Sequence, residues 1–339
     1  MQARYFITLS SALLACGILV FFYYLLPLSD TSSTTARLDT TYQNISVDGP
    51  IQPIPTSLTY DVNWAILGKA LFHSPLLSGD NTVSCSSCHL VDFGGDDGFP
   101  VSTGINNQTG SRNSPTVLNA TFNFRQFWDG RSPTLAHQAL GPITNPLEMG
   151  TSLQSIIQKL KQYDEFRVAF DELSSSGITS ENILQALTIY EQTLITPNAP
   201  IDQYLLGDNS ALTEQQQRGW LKFQQFGCVS CHQGRNIGGN LFQKLGRVDS
   251  VPSHLLLDEG RYEITQQEKD RNVFKVPSLR NIALTSPYFH DGSIVSLKEA
   301  VKIMARAQLG RQLSDEDVDD LVALLHSFTG IKHELVSNE

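Results

Sequence analysis

Two copies of one five-residue pattern constrain this chain more than any other feature: CSSCH at Cys85–His89 and CVSCH at Cys228–His232. The chain has five cysteines, and four of them lie in these two motifs. The fifth, Cys16, sits in an apolar N-terminal run, so no cysteines remain for a disulfide framework. On a short helical turn, residues i and i+3 share a face. Two thiols at that spacing can form thioethers with the two vinyl groups of a haem, and the adjacent histidine can then ligate the iron from below. A zinc ribbon would need its two CxxC halves about 15–20 residues apart, far closer than these. A thioredoxin-like dithiol needs one CxxC in a βαβ setting, and no such setting is readable. Two c-type haems are therefore expected, one on Cys85, Cys88 and His89, the other on Cys228, Cys231 and His232.

Covalent haem attachment of this kind takes place outside the cytoplasm, and the N-terminus agrees with export. Tyr5 to Leu28 runs without a charged residue. As a helix it would be roughly 36 Å long, enough to cross a hydrocarbon core of about 30 Å. Arg4 precedes it and no Lys or Arg follows until Arg37, so the positive-inside bias puts the body outside the cytoplasm. Residues 1–28 are read as a transmembrane signal-anchor rather than a cleaved signal; LLAC at 13–16 is a weak lipobox. The expected location is the periplasm, tethered to the inner membrane. The net charge of −10 argues against nucleic acid and suits a basic soluble partner.

Residues 29–52 are rich in Ser, Thr and Asp and read as a flexible linker. The body after it resembles a diverged repeat, because LGKALFHSPLLSGDNTVSCSSCH (67–89) parallels RGWLKFQQFGCVSCH (218–232). Helical periodicity dominates: 152–170 carries Leu153, Ile156, Ile157, Leu160 and Tyr163 on one face, and 181–194, 296–310 and 314–328 behave alike. Long loops at 92–116 and 233–258 separate the helices, and strand signals are few. The expected fold is mostly α, with two cytochrome c-like domains at 53–198 and 199–329, each with one haem, and 196–207 between them. The function of such a haem is set at its sixth position. The chain has three methionines, Met1, Met149 and Met304. Met304 lies in a helical segment well after the second motif, where the axial methionine of a small cytochrome is expected; a core methionine is the competing reading.

Three further stretches are specific: FRQFWDGRSPTLAHQALGPITNPLEMG (124–150), FKVPSLRNIALTSPYFHDGS (274–293) and AVKIMARAQLG (300–310). With both haem motifs, they make residues 55–330 resemble the bacterial dihaem cytochrome c peroxidases. The resemblance implies a low-potential peroxidatic haem on the first motif and a high-potential electron-entry haem on the second, with Met304 its sixth ligand. It implies that Glu148 is the catalytic glutamate, Gln138 its distal-pocket companion and Trp128 the tryptophan between the haems. It also implies calcium between the domains on Asn113, Thr285 and Pro287, and His290 near the second haem. The implied reaction is reduction of hydrogen peroxide to water with electrons from a small cytochrome c or cupredoxin. Residues 330–339 are expected to pack back on the first domain, as in the family, and a homodimer is left open.

One departure stands out. Many family members carry a histidine after the first motif that caps the peroxidatic haem at rest. Here loop 98–116 has none, the family's position falls at Ile105, and no histidine lies between His89 and His137. The first haem is therefore expected to be open at rest, with no reductive activation. Two other functions stay in view. MauG-type enzymes also lack the cap and oxidise a partner protein, but they have a tyrosine where Met304 stands. A dihaem carrier without catalysis would have no use for Glu148 and Gln138.

Overall fold

The computed structural model describes residues 49–333 and residue 335. The apolar run at 5–28 and most of the 29–52 linker lie outside the described residues. Among the described residues no helix is long and apolar enough to cross a membrane.

The body is mostly helical. Its helices are α1 (Val62–His73), α2 (Cys85–Cys88), α3 (Leu135–Thr144), α4 (Leu153–Leu160), α5 (Asp164–Leu173) and α6 (Ser180–Thr193), then α7 (Pro200–Leu205), α8 (Glu214–Gln225), α9 (Tyr262–Thr265), α10 (Leu297–Leu309) and α11 (Asp315–His326). Two three-residue strands, β1 (Phe242–Lys244) and β2 (Val273–Lys275), pair antiparallel with Gln243 opposite Phe274. Polar side chains start the main helices. Asp61 Oδ1 accepts from the amides of Asn63 and Trp64 at 3.0 and 3.1 Å, and Thr213 and Ser314 open α8 and α11 with capping boxes. The segment 152–170, periodic as a single helix, forms two. α4 ends at Leu160, capped by Lys161, and α5 starts after Tyr163, whose backbone is extended. Tyr163 is consequently exposed rather than part of the buried face.

Two apolar clusters correspond to the two haem motifs. The first gathers Trp64, Leu71 and Phe72 of α1, Ile156 and Leu160 of α4, Phe170 of α5 and Ile183 and Leu187 of α6, with Cys85 against it. The second gathers Ile201, Trp220, Phe223, Leu321, Leu324 and Phe328, with Cys228 against it. Each fully buried large side chain of this kind stabilises the fold by about 1.5–3 kcal/mol. Ile51, within the stretch read as linker, is 1% exposed in the second cluster and bridges to Gly234, so the ordered body starts before Pro53. The tail returns to the first half: the amides of Ile331 and His333 donate to Pro197 O and Ile195 O, and Leu335 packs on the first cluster.

The two halves repeat one design down to backbone detail. In each, a long helix (α1 or α8) carries a glycine that lets another helix come close. A Cβ on Gly68 would stand 2.0 Å from Ala186 O, and one on Gly219 would stand 2.1 Å from Asp320 O. Each helix is followed by a haem motif, then by an asparagine in the left-handed region, Asn119 (φ 62°) or Asn281 (φ 59°). Each half then makes the same turn, Phe127-Trp128-Asp129-Gly130 or Phe289-His290-Asp291-Gly292. Phe127 and Phe289 have φ of 68° and 69°, and the turns close with the bridges Gln126–Ser132 and Tyr288–Ile294. Trp128 and His290 are thus equivalent positions, and they meet edge to face with centroids 6.2 Å apart.

Candidate active site

The first motif forms α2, one helical turn, so Cys85 and Cys88 share a side and His89 caps its end. His89 Nδ1 lies 3.2 Å from Gly95 O. A carbonyl can only accept, so Nδ1 carries the proton and Nε2 is left with its lone pair, as an iron ligand requires. Burial lowers the histidine's pKa and keeps the ring neutral. Burial also pushes Cys85 up to about 12 and raises Cys88. Burial of this kind disfavours thiolates, which a zinc site or a redox dithiol would need, and is no obstacle to thioethers.

These three residues line a cavity of about 320 Å³, and Trp128, Gln138 and Glu148 line it too. Four candidates named for the peroxidatic site (His89, Trp128, Gln138 and Glu148) therefore share one space with the two motif thiols. Leu135, Ala139, Ile143, Met149 and Leu187 give it apolar walls. The donor set and the apolar lining fit a haem tethered at Cys85 and Cys88 and ligated by His89.

Gln138 comes from α3. Pro142 lies inside that helix and, lacking an N–H, cannot bond the carbonyl of Gln138 four residues back. Asn145 then organises the turn that follows. Its carbonyl accepts from the amides of Glu148 and Gly150, and its side-chain oxygen accepts from Leu147 N. Its Nδ2 donates to Glu148 Oε1 at 2.6 Å. Burial raises the pKa of Glu148, while the Asn145 bond and the charge of Arg131 pull it back down. Ile105 is buried, and its amide donates to Glu148 O at 2.8 Å. Its side chain lies against Gly150, where an added Cβ would meet Ile105 Cδ1 at 2.3 Å. His137 bonds Ser132 Oγ at 2.8 Å and is not among the cavity-lining residues.

Trp128 Nε1 donates to Asn113 O at 2.9 Å, and its carbonyl accepts from Lys275 N at 2.7 Å. His290 is buried, stacks on Phe274 at 4.3 Å and leaves Nε2 unpartnered. The second motif repeats the first: His232 Nδ1 lies 3.3 Å from Ile237 O, and burial lowers its pKa to about 4. None of its five residues lines the first cavity. Met304 of α10 packs with Trp128, Phe289 and Ile294 on a third apolar cluster around Phe274 and Ile303.

Several residues at the site carry no motif. Arg112 binds Asp129 and grips Asp258 with Nε and a terminal nitrogen, so it ties the first half to the second at the cavity rim. Asp129 in turn holds Arg131, which lies 3.5 Å over the Phe127 ring. Glu191 of α6 lines the cavity, and burial pushes its carboxyl up to about 8. Single charged residues scattered along a chain give no sign that they will converge, so the sequence did not reveal these.

Residues 63–210 match the family model described as di-haem cytochrome c peroxidase. The cytochrome c551 peroxidase of Pseudomonas aeruginosa is 46% identical over 270 residues, which cover 78% of this chain and 78% of that protein. The chain belongs to the dihaem cytochrome c peroxidase family. Another member, the cytochrome c peroxidase Ccp of Escherichia coli, is 46% identical over 285 residues; these cover 83% of this chain but span only 61% of that protein's length. Among solved structures, a MauG-like protein associated with microbial copper homeostasis superposes with a TM-score of 0.72 at 28% identity, covering 83% of this chain and 93% of the other. The dihaem peroxidase family thus accounts for the fold and for both CxxCH motifs.

Proposed function

We propose that the protein is a periplasmic cytochrome c peroxidase that reduces hydrogen peroxide to two waters, using two protons and two electrons from a small cytochrome c or cupredoxin. The observation that carries this reading is the single cavity lined by Cys85, Cys88, His89, Gln138 and Glu148. In this reading the first haem is held by Cys85, Cys88 and His89. The second would be held by Cys228, Cys231, His232 and Met304, with His290 in its surroundings. A haem bound at the first site would supply the redox chemistry for cleavage of the O–O bond.

The chain's residues handle the protons and the orientation. Glu148, ionised, takes the proton from the inner peroxide oxygen and delivers it to the outer one, which leaves as water. Gln138 orients both oxygens through its amide. Asn145 fixes the carboxyl by the 2.6 Å bond and keeps its pKa from rising as far as burial alone would take it. Trp128, packed against His290, links the two haem environments. Calcium at Asn113, Thr285 and Pro287 would hold the two halves in register. The N-terminal run would anchor the enzyme to the inner membrane.

The first site is open at rest in this reading, because Ile105 offers no ligand and is fastened to Glu148 and Gly150. The fully oxidised holoenzyme should therefore change its Soret spectrum on mixing with hydrogen peroxide, without prior reduction. With reduced cytochrome c present it should then turn over. Two low-spin ferric haems by electron paramagnetic resonance, and no peroxide reaction until one electron is added, would sink the open-site reading. Failure to turn over peroxide with cytochrome c in either state would leave the carrier and the MauG-type reading, which oxidation of a partner protein would separate.

A further inference from the structure

Asp96 is 2% exposed, and neither of its carboxylate oxygens has a hydrogen-bond partner. A buried carboxylate in that condition is costly unless a cation or donors compensate it. The backbone amides of Asp96 and Gly98 lean towards the carboxylate without reaching hydrogen-bond geometry, and the charge acting on it is another acid, Asp97. Its surroundings are rich in carbonyl oxygen. A Cβ on Gly94 would stand 2.9 Å from Asp96 Oδ1 and 2.9 Å from Leu284 O, so the carboxylate and that carbonyl border one small space. A Cβ on Gly98 would stand 3.9 Å from Ser286 O, and one on Gly292 would stand 2.5 Å from Pro100 O. Loop 94–100 therefore lies along loop 284–292. Asn113 joins the two: its Nδ2 donates to Phe99 O at 2.9 Å and its amide donates to His290 O at 2.7 Å, which leaves Oδ1 for another partner.

We infer that Asp96 supplies the negative charge of a calcium site between these loops, directly or across one water, with Asn113, Thr285 and Pro287 as the neutral oxygen donors. The inference rests on the calcium reading above and adds the group that reading lacks. Calcium takes six to eight oxygen ligands, and its affinity follows the number of charged ones. Asn113 and two carbonyls bring no charge, so without Asp96 the site would be neutral.

The test is calcium titration of the chelator-treated holoenzyme by calorimetry, with Asp96→Asn, Asp97→Asn and Asn113→Ala. Wild type and Asp97→Asn should bind calcium alike, and Asp96→Asn should bind about tenfold or more weakly. In chelator, Asp96→Asn should melt at or above the wild-type temperature, because a buried uncompensated charge has gone; in calcium it should melt below. A residue that merely packs would not reverse sign in this way. Wild-type affinity retained by Asp96→Asn but lost by Asn113→Ala would overturn the role of Asp96 and leave the calcium site standing. No calcium binding by wild type would remove both. Should Asp96→Asn not fold, the calcium-minus-chelator infrared difference spectrum of protein carrying 4-13C-aspartate decides: a shifted carboxylate band is expected, and amide bands alone would overturn the inference.

Discussion

Glu148 has a carboxyl that burial drives towards the neutral form, while its proposed task as a base requires the ionised one. Asn145 is the closest corrective, through a donor 2.6 Å from Oε1, and Arg131 adds a distant positive charge. Removing the donor should raise the pKa of Glu148. Because the base acts ionised, activity rises with pH through that pKa. Asn145→Ala should therefore move the acidic limb of the kcat/KM profile to higher pH, with a smaller effect on the plateau. An unmoved limb would mean that the limb belongs to another group. The role of Glu148 was readable only through resemblance to a family. Asn145 was not readable at all, since an asparagine near a proline reads as a turn residue, as it also is. Asp96 was hidden for a different reason: what distinguishes it is the lack of a partner, and the loop that faces it is distant in sequence.

At the scale of elements, the site depends on how tightly the 145–150 turn is pressed against the loop that lacks the capping histidine. Gly104 has no room for a side chain. A Cβ there would stand 2.2 Å from Leu147 O and 2.6 Å from the Glu148 Cα. Gly104→Ala should displace Glu148 from its place in the cavity. A displacement near 1 Å can lower a rate about 10²-fold, so kcat should fall by about that factor with haem content unchanged. Unaltered kcat would show that the turn tolerates the shift. The helices around this turn were largely legible, because α6, α10 and α11 have clear caps and periodic apolar faces. The break between α4 and α5 was not, because the apolar spacing continues in phase through Lys161–Tyr163 while the backbone does not. The two matching turns at Phe127 and Phe289 were also missed as a pair: their sequences, FWDG and FHDG, differ at the very residue that faces the other half.

Across the whole molecule, the two halves are joined at a polar point as well as by packing. Thr196 Oγ1 accepts from Asn119 Nδ2 at 2.7 Å and from Asn281 Nδ2 at 2.9 Å. The two asparagines hold equivalent places in the two halves, and all three residues are buried. Thr196→Val keeps the shape and orphans both donors. It should cost about 1–3 kcal/mol per donor, read by chemical denaturation of the holoenzyme, and a change within 0.5 kcal/mol would mean that water replaces the hydroxyl. That each motif would have its own apolar surroundings was legible from the repetition, since one pentapeptide at two distant places demands two similar settings. How the parts meet was not, because Thr196, Arg112 and Ile51 act through partners on the other side of the chain.

The central claim is that the cavity over the first motif cleaves peroxide with Glu148 as its proton-transferring group. The most direct measurement is the steady-state rate at which Glu148→Gln, loaded with both haems, oxidises reduced cytochrome c with hydrogen peroxide. Loss of a positioned acid–base group lowers a rate by about 10²–10⁴-fold, and a fall in that range, with haem content and the second haem's reduction unchanged, is the predicted result. A variant that turns over peroxide at the wild-type rate would contradict the account.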